Sequence, residues 1–458
     1  MADQFIVAKK LWKQSGAKGL DGSSESTKEQ PARGGLMEEN TKLRSIPITT
    51  EEVWRGYLEV RKHGKSAGVD GVTLKEYETR KNDELYKIWN RLSSGSYFPP
   101  AVREHKIPKG NGKMRSLGIP TINDRVAQAV VKKHLEPLLE PHFHRNSFAY
   151  RPNRNAEQAI RQASDQCHQK AWVIDLDIEK FFDNLDHNLL LKALMKHEPA
   201  KWIVMYVERW LKAPIMQEDG TMVQPTKGTP QGGVISPLLS NLYLHYAFDK
   251  WMEIKYQNVG FERFADDIIV HCSSKEEAFE LLRAITLRLE ECGLRVHPEK
   301  TKVVYCKGKG KDKSKPQEEG PSSFDFLGIT FKHYRAKNKQ TGQVFTSFGP
   351  AKLSRKSLRK ILDVLQEKRL TRRTCGDLTE IAIEMQPHLQ GWINSYYGRI
   401  KLTLLREAMQ SLNDLLVRWA VHRYKRFVRS KWRARLWLRS ITADFPTMFV
   451  HWKYGFLP

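Results

Sequence analysis

The alternation of apolar and polar positions changes twice along the chain. Residues 13–35 are polar, rich in Gly and Ser and almost free of large apolar side chains, which is typical of a disordered segment. From about 85 to 335, short apolar runs such as 172–176 alternate with helical patterns such as Leu189 to Lys196. Beyond Ala351 the pattern is helical. These patterns predict a disordered tether (1–36), an α+β body and a helical C-terminal region.

Local signals mark several element ends. Thr49 and Glu52 have the spacing of a capping box and predict a helix start, with order beginning near Met37. Gly68-Val69-Asp70-Gly71 predicts a turn. A flexible basic loop is expected at 307–315, followed by a pair of strands at Phe324 to Phe331.

The charge of the chain points to a polyanionic partner. Its 458 residues have a net charge of +25, and residues 351–458 alone contain 22 Lys and Arg against 8 Asp and Glu. Five tryptophans are interleaved with those bases: Trp392, Trp419, Trp432, Trp437 and Trp452. A solvated helical face explains the charge alone, whereas charge and aromatics together favour nucleic acid, with many of the tryptophans in the core.

Other features restrict the compartment. The chain has no uninterrupted apolar run long enough to span a bilayer, and its first ten residues lack the apolar core of a signal peptide. Its five cysteines form no Cys-x-x-Cys pair and are expected to be buried small hydrophobes. The sequence therefore predicts a reducing compartment, no membrane partner and neither a disulfide framework nor a zinc knuckle.

Two acidic clusters interrupt apolar runs. Asp175 and Asp177 share one face of a predicted strand, and Asp266-Asp267 stand between Phe264-Ala265 and an apolar segment. If the two strands are neighbours, three carboxylates converge, and their repulsion calls for divalent cations. Oxygen ligands without His or Cys favour Mg²⁺, and two such ions can clamp an in-line phosphoryl displacement. Two unrelated solvated turns would explain the same residues.

A Gly-rich loop lies between these clusters. Its sequence, residues 227–238, is Lys-Gly-Thr-Pro-Gln-Gly-Gly-Val-Ile-Ser-Pro-Leu. Adjacent glycines let the backbone approach a ligand closely, and Ser236-Pro237 is a typical helix start. The position of the loop between two acidic clusters makes it a candidate ligand-binding element.

The ordered blocks of this chain resemble those of reverse transcriptases, and most closely the group II intron reverse transcriptase–maturases. The resemblance runs from about residue 46 to the C-terminus. It rests on Ile107-Pro108-Lys109 with Arg115, 117–120 (Leu-Gly-Ile-Pro), 148–152 (Phe-Ala-Tyr-Arg-Pro), 177–183 (Asp-Ile-x-x-Phe-Phe-Asp), 229–237, 264–267 (Phe-Ala-Asp-Asp), 297–301 and 326–328 (Phe-Leu-Gly). It implies a right-hand polymerase fold with fingers and palm at 37–344.

The resemblance also implies site residues. Asp177, Asp266 and Asp267 are the expected catalytic carboxylates, and with the backbone carbonyl of Ile178 they are the expected ligands of two Mg²⁺ ions. The residues expected to bind the dNTP are Lys109 and Arg115 at the triphosphate, Gln231 beside it, Phe182 as a steric gate against a 2′-OH, and Lys300 as a donor of charge or a proton to the pyrophosphate. Each has a simpler alternative: Arg115 as a phosphate contact, Phe182 as a core ring, Lys300 as a surface charge.

In the C-terminal region, residues 389–399 look like the signature of a maturase domain, with Ser395 as an extra residue. The resemblance implies a helical thumb/maturase (X) domain at 345–430 and a basic nucleic-acid-binding tail at 431–458. The expected RNA-binding residues are Arg399, Lys401, Arg423, Lys425 and Arg426. The alternative explanation of this signature is a packing motif within the thumb.

The expected function is RNA-dependent DNA synthesis combined with binding of intron RNA, its splicing and its retromobility. The partners would be intron RNA template, a DNA or RNA primer, dNTPs and target DNA, in the bacterial cytoplasm as a ribonucleoprotein or nucleoid-associated complex. Departures from the family pattern are Phe264 for Tyr, Glu179-Lys180, 153–155 and the lack of a His-Asn-His endonuclease domain. The alternatives are a domesticated enzyme of phage defence or DNA repair, and a non-catalytic splicing factor.

Overall fold

The computed structural model describes residues 45–63, 66–108, 114–306, 320–337, 340–372, 376–396 and 402–458. The predicted tether (1–36) and the predicted basic loop (307–315) lie outside the described residues. The chain forms two compact units, which are described separately: unit 1 comprises Met1–His142 and Phe182–Leu242, and unit 2 comprises Phe143–Phe181 and Tyr243–Pro458. Both helices and strands are present, as the α+β prediction requires.

The helices and strands follow one another along the chain as the sequence pattern indicates. The helices are α1 (Thr50–His63), α2 (Leu74–Thr79), α3 (Lys81–Ser93), α4 (Ile122–Leu139), α5 (Ala156–Gln169), α6 (His187–Met195), α7 (Lys201–Leu211), α8 (Ser236–Leu244), α9 (Lys250–Lys255), α10 (Lys275–Glu291), α11 (Arg355–Glu367), α12 (Leu378–Tyr396), α13 (Arg406–Arg423), α14 (Lys431–Asp444) and α15 (Val450–Lys453). The strands are β1 (Val102–Pro108), β2 (Met114–Ile119), β3 (Trp172–Asp177), β4 (Ile215–Met216), β5 (Met222–Val223), β6 (Gly260–Phe264), β7 (Asp267–Cys272), β8 (Lys302–Tyr305), β9 (Ser323–Phe326), β10 (Ile329–Lys337) and β11 (Val344–Leu353).

The predicted capping box forms at the start of α1. The Thr49 N–H donates to Glu52 Oε2 at 2.8 Å, and the Glu52 N–H donates to Thr49 Oγ1 at 3.2 Å. Two backbone donors that the helix cannot use are thereby satisfied. The predicted turn at 68–71 also forms, with the Gly71 N–H bonded to the Gly68 carbonyl at 3.3 Å and a φ of +66° at Gly71.

Unit 1 combines one sheet with helices. The strand order is β2-β1-β4-β5, in which β1 pairs with β2 in antiparallel and with β4 in parallel orientation. Helix α4 is the main core element, because residues of most of its circumference are buried: Ile122, Val126, Ala127, Val130, Val131, Leu135 and Leu139. The Gly-rich loop belongs to this unit and ends where α8 begins.

Unit 2 contains the acidic clusters on a four-stranded antiparallel sheet of order β6-β7-β3-β8. The apolar residues of β3 are buried on both faces of the strand. Val173 packs in one core with Ala159, Ile160 and Ala163 of α5, and α10 also contacts β3. This is why the strand is a nearly continuous apolar run, and why its two aspartates stand out in the sequence.

A second antiparallel sheet of order β11-β10-β9 precedes helices α11 to α15 of unit 2. The predicted strand pair at 324–331 is confirmed, since β9 pairs with β10 from Ser323↔Lys332 to Phe326↔Ile329. Strand β11 continues to Leu353, and the C-terminal helices begin at Arg355.

The C-terminal segment 431–458 packs against the preceding helices. It forms α14 and α15, and five of its residues lie in the same apolar core as α12 and α13: Ala434, Leu438, Phe449, Val450 and Trp452. Buried polar contacts fix it further, because His451 Nε2 lies 2.8 Å from Asn413 Oδ1 and Trp452 Nε1 donates to the same oxygen at 3.1 Å. The basic residues of α14 therefore lie on the outside of a packed helix.

The described cysteines have the predicted structural role. Cys167, Cys272, Cys292 and Cys306 are free thiols and each is buried, whereas Cys375 lies outside the described residues. No helix within the described ranges is both long enough and apolar enough to cross a membrane.

Candidate active site

The two acidic clusters lie side by side in unit 2. Strands β3 and β7 pair in antiparallel register from Trp172↔Cys272 to Asp177↔Asp267, so the last residue of β3 is opposite the first residue of β7. Partners in such a register have Cα atoms about 5 Å apart. Asp266 immediately precedes Asp267 in the turn that joins β6 to β7. The predicted convergence of three carboxylates is therefore what the register produces.

The turn that carries Asp266 has an unusual backbone. Ala265 has a φ of +59°, a left-handed conformation that L-residues other than Gly, Asn and Asp seldom adopt. Phe264 pairs with Asp267 across the hairpin, so Ala265 and Asp266 form a two-residue loop. Such a conformation persists only where the surrounding structure enforces it.

Burial and mutual repulsion set the charge state of these carboxyls. Burial, together with the charges of Asp266 and Asp177, raises the pKa of Asp267 from 3.8 to about 7, although a hydrogen bond from the Leu327 backbone opposes the shift. Burial and the charge of Asp267 raise the pKa of Asp175 to about 8. Both carboxyls thus lie where a positive charge from outside the strands would be favourable.

The segment 297–301 surrounds Asp177. Lys300 Nζ lies 2.9 Å from Asp177 Oδ1, the His297 N–H donates to the Asp177 carbonyl at 2.8 Å, and the Asp177 N–H donates to Thr301 Oγ1 at 3.3 Å. The structure therefore brings Lys300 to the carboxylate cluster, as its inclusion in the predicted site requires. The ion pair is about half exposed, so water and ions have access to it.

The donor set fits a divalent cation of the Mg²⁺ type. The clustered donors are carboxylate oxygens, and burial together with the charges of Asp266 and Asp177 raises the pKa of Asp267. In the described part of the chain, no three His, Cys, Asp or Glu side chains are already arranged around a common point as metal ligands. Lys300 already contacts one Asp177 oxygen. A cation bound there must therefore share the Asp177 carboxylate with Lys300 or displace the Lys300 ammonium.

We expect Mg²⁺ to raise the melting temperature of the protein more at pH 8 than at pH 6. The folded-state pKa of Asp267 is raised from 3.8 to about 7, so the stability linked to its protonation is complete below 3.8 and is lost as the pH rises through about 7. A cation favours the charged carboxylate and competes with the proton. Calorimetry at both pH values, with and without MgCl₂, measures the difference. In Asp267→Asn the shift should depend less on pH, because of the two carboxyls with raised pKa only Asp175 remains. An equal shift at both pH values in the wild type would contradict this prediction.

In unit 1, Arg115 and Gln231 are brought together as expected. Arg115 Nε donates to Gln231 Oε1 at 2.7 Å, and Gln231 Nε2 donates to Asp183 Oδ1 at 3.0 Å. The Gly118 N–H also donates to the Gln231 carbonyl at 2.9 Å. Gly232 is required beside it, because its φ is +133° and a Cβ there would lie 2.5 Å from the Gly118 carbonyl oxygen.

Phe182 belongs to the same unit as this loop. It lies in a short 3₁₀ helix (Phe181–Asp183), and its carbonyl accepts the Thr229 N–H at 2.8 Å. Its ring is partly exposed, whereas Phe181 is buried. Phe181 is therefore a core ring, and both roles considered for Phe182 stay predictions. Lys109 lies outside the described residues.

A buried polar network supports the Gly-rich loop, and the sequence did not reveal it. Gln128 Oε1 accepts the N–H groups of Val234 at 2.7 Å and Ile235 at 3.3 Å, while Gln128 Nε2 donates to Asp124 Oδ2 at 2.9 Å. Asp124 is 1% exposed, and burial raises its pKa to about 6. Its other oxygen accepts hydrogen bonds from Tyr97 and Trp210. The only sequence signal was a polar pair, four residues apart, within the apolar pattern of α4.

The predicted RNA-binding residues are only partly described. Arg423, Lys425 and Arg426 are exposed, but Arg399 and Lys401 lie outside the described residues. The guanidinium of Arg426 lies 4.6 Å from the ring centroid of Phe427 and 5.6 Å from that of Trp437, so it packs on aromatics as well as carrying charge.

Most tryptophans of the basic region belong to the core, as predicted. Trp419 and Trp452 are buried, and Trp392 and Trp437 are partly buried against the same cluster. Trp432 differs, because it is 68% exposed on α14. Its flanking residues Lys431 and Arg433 are also exposed.

Paired carboxylates with an adjacent lysine are a set of side chains that suits divalent cations and phosphates. Comparison with known proteins agrees. Residues 107–331 match the family described as reverse transcriptase (RNA-dependent DNA polymerase), and residues 358–437 match the maturase-specific domain of group II introns. The chain belongs to the group II intron reverse transcriptase–maturase family.

Individual relatives match parts of the chain. Protein YkfC of Escherichia coli K12 is 31% identical over 288 residues, which are 53% of this chain and 74% of YkfC. The group II intron-encoded protein LtrA of Lactococcus lactis subsp. cremoris is 32% identical over 207 residues, 44% of this chain and 34% of LtrA. The chain therefore spans only about a third of LtrA. A solved telomerase structure from Candida albicans covers 82% of this chain, and this chain covers 66% of it, at 13% identity and a TM-score of 0.38.

Proposed function

We propose that this chain acts as an RNA-directed DNA polymerase that also binds group II intron RNA, assists its splicing and supports its mobility. The observation that carries the proposal is the register of β3 and β7, which places Asp177 opposite Asp267 and beside Asp266. The match to a reverse transcriptase domain and a maturase-specific domain supports both halves of the proposal.

In this proposal Asp177 and Asp266 are the direct ligands of two Mg²⁺ ions, with Asp267 and the carbonyl of Ile178 as further donors. Bound there, such ions stabilise the charge on the attacking and leaving oxygens of an in-line displacement. The protein holds the carboxylates on paired strands, so that little rearrangement is needed when a primer 3′-OH attacks the dNTP. Lys300, already 2.9 Å from Asp177 Oδ1, supplies positive charge for the departing pyrophosphate.

The residues proposed to bind the dNTP are supported by the contacts within unit 1. Arg115 is oriented by Gln231, which is itself held by Asp183 and by the Gly118 N–H. We assign Arg115, Gln231 and Lys109 to the triphosphate, because guanidinium and amide groups are good phosphate donors. Phe182 is assigned to the sugar, where its ring would exclude a 2′-OH.

For the rest of the chain we propose fingers and palm at 37–344, a thumb and maturase region at 345–430, and a nucleic-acid-binding segment at 431–458. Exposed basic side chains support the last two assignments: Arg423, Lys425, Arg426, Lys431 and Arg433. Intron RNA, primer and target DNA are the proposed partners. LtrA and several other matched proteins are named as intron-encoded, which supports RNA of this class as the ligand.

We expect Trp432→Ala to lower the affinity for single-stranded RNA about tenfold, because stacking on an aromatic ring contributes about 1–3 kcal/mol per base. The dependence of affinity on salt should stay unchanged, since Trp432 neutralises no phosphate. Fluorescence anisotropy with a labelled single strand measures both quantities. The matched control is Ile383→Ala, which removes a side chain 70% exposed on α12. Equal losses in both variants would contradict the assignment of Trp432.

Two assays test the proposed function. Primer extension on an RNA template tests the polymerase, and splicing of an intron RNA in vitro, with and without protein, tests the maturase. Extension without any effect on splicing would favour a domesticated enzyme of defence or repair. Faster splicing without extension would favour a non-catalytic splicing factor.

A further inference from the structure

Asp249 and Arg263 form an ion pair with no exposure to solvent. Arg263 Nε donates to Asp249 Oδ1 and a terminal nitrogen donates to Oδ2, each at 2.6 Å, and both side chains are 0% exposed. Removing two charges from water is expensive, and apolar residues of similar volume often stabilise a fold as well or better. Stability alone therefore does not account for this pair.

The other terminal nitrogen of Arg263 reaches the candidate active site. It donates to the carbonyl oxygen of Ala265 at 3.2 Å. That carbonyl belongs to the peptide unit between Ala265 and Asp266. The hydrogen bond from the guanidinium therefore restrains the peptide plane that directly precedes the Cα atom of Asp266. Ala265 is also the residue with the left-handed φ of +59°. One side chain thus binds the strained peptide of the carboxylate turn.

The neighbours of Arg263 keep it in this position. Its N–H donates to the Asn146 carbonyl and its carbonyl accepts the Phe148 N–H, both at 2.9 Å. Asp249 closes a π-helical turn (His245–Asp249), an irregularity often found at functional sites. Arg288 of α10 binds two carbonyls of that turn, those of Tyr246 and Ala247, each at 3.2 Å. Backbone and side-chain contacts therefore fix both partners of the pair.

We infer that Asp249 and Arg263 are a positioning pair, which holds the Ala265–Asp266 peptide so that the Asp266 carboxylate points to the cation site. The effect of this pair on catalysis rests on the proposed function. Asp249 orients the guanidinium by accepting hydrogen bonds from Nε and one terminal nitrogen, and the other terminal nitrogen donates to the Ala265 carbonyl. A misplacement of about 1 Å at a reacting group can cost about 10²-fold in rate.

The test is the double variant Arg263→Met/Asp249→Leu, which removes both charges and keeps the volume. The matched control is Glu262→Leu/His271→Leu, because His271 Nε2 of β7 and Glu262 Oε2 of β6 form a second ion pair of 2.6 Å and 0% exposure, next to Arg263 in the sequence of β6. The first variant should lose about 10²-fold in kcat, with KM for dNTP changed less than threefold. The control should keep kcat within about threefold of the wild type.

Binding of Mn²⁺, followed by electron paramagnetic resonance, is the readout that does not need polymerase activity. We expect about tenfold weaker binding in the first variant and unchanged binding in the control. If the double variant does not fold, Arg263→Lys replaces it in the test. Lysine keeps the charge balance with Asp249 but has no second terminal nitrogen to donate to the Ala265 carbonyl, so this variant should show the same weakening. Wild-type Mn²⁺ affinity in a folded Arg263→Lys or double variant would overturn the inference. A wild type that binds Mn²⁺ but does not extend primers would instead overturn the proposed polymerase activity.

Discussion

Asp266→Asn reduces primer extension by at least about 10³-fold while the protein stays folded. The substitution keeps the shape of the side chain but removes one of the negative charges that we propose as ligands of divalent cations. Electrostatic stabilisation of this kind is usually the largest single contribution to such a reaction. Asp266 lies in a two-residue turn, where Asn is as well tolerated as Asp. Single-turnover extension on an RNA template measures the loss.

The control for this variant is Asp165→Asn, which removes an exposed carboxylate on α5 of the same unit. It should extend primers at the wild-type rate. Melting temperatures of both variants within a few degrees of the wild type would show that the loss is chemical. An Asp266→Asn enzyme that keeps more than a tenth of the wild-type rate would contradict the role of this carboxylate.

Phe182→Val raises the use of rNTPs relative to dNTPs by about 10²-fold. A ring that excludes a 2′-OH acts by steric exclusion, and discrimination between substrates that differ by a small group in a pocket is about 10–200-fold. The smaller side chain removes the obstacle, while the Thr229 hydrogen bond to the Phe182 backbone remains. The ratio of kcat/KM for an rNTP and its dNTP gives the change in selectivity.

Phe98→Val is the matched control, because Phe98 is an exposed phenylalanine of the same unit that contacts Arg209. Its selectivity ratio should remain that of the wild type. If Phe182→Val also keeps the wild-type ratio, the assignment of Phe182 to the sugar is wrong, and its ring has another role.

Local signals in the sequence predicted local structure well. The spacing of Thr49 and Glu52 predicts a capping box without reference to the rest of the fold. The apolar run 172–176 predicts a strand that is covered by helices. The pairing of β3 with β7 is different. It joins residues about 90 positions apart, which no local pattern specifies, so only the resemblance to a known family indicated that Asp177 and Asp267 would meet.

The supporting contacts of the site were not predictable. Arg263 and Asp249 are 14 residues apart, but their contact depends on a π-helical turn and on the direction of one strand face. The apolar strands β6 and β7 contain the charged residues Glu262, Arg263 and His271. Such residues indicate buried ion pairs but do not identify the partners. In the same way, the basic composition of 431–458 concealed the apolar face that packs α14 and α15 into the core.

We propose that this chain synthesises DNA on an RNA template with Asp177, Asp266 and Asp267. The most direct measurement is extension of a labelled primer on an RNA template by purified protein with dNTPs and Mg²⁺, beside Asp177→Asn and an EDTA control. The prediction is full-length complementary DNA from the wild type and none from Asp177→Asn or in EDTA. A folded wild-type protein that binds the primer–template but adds no nucleotide, or an Asp177→Asn variant that extends as fast as the wild type, would contradict it.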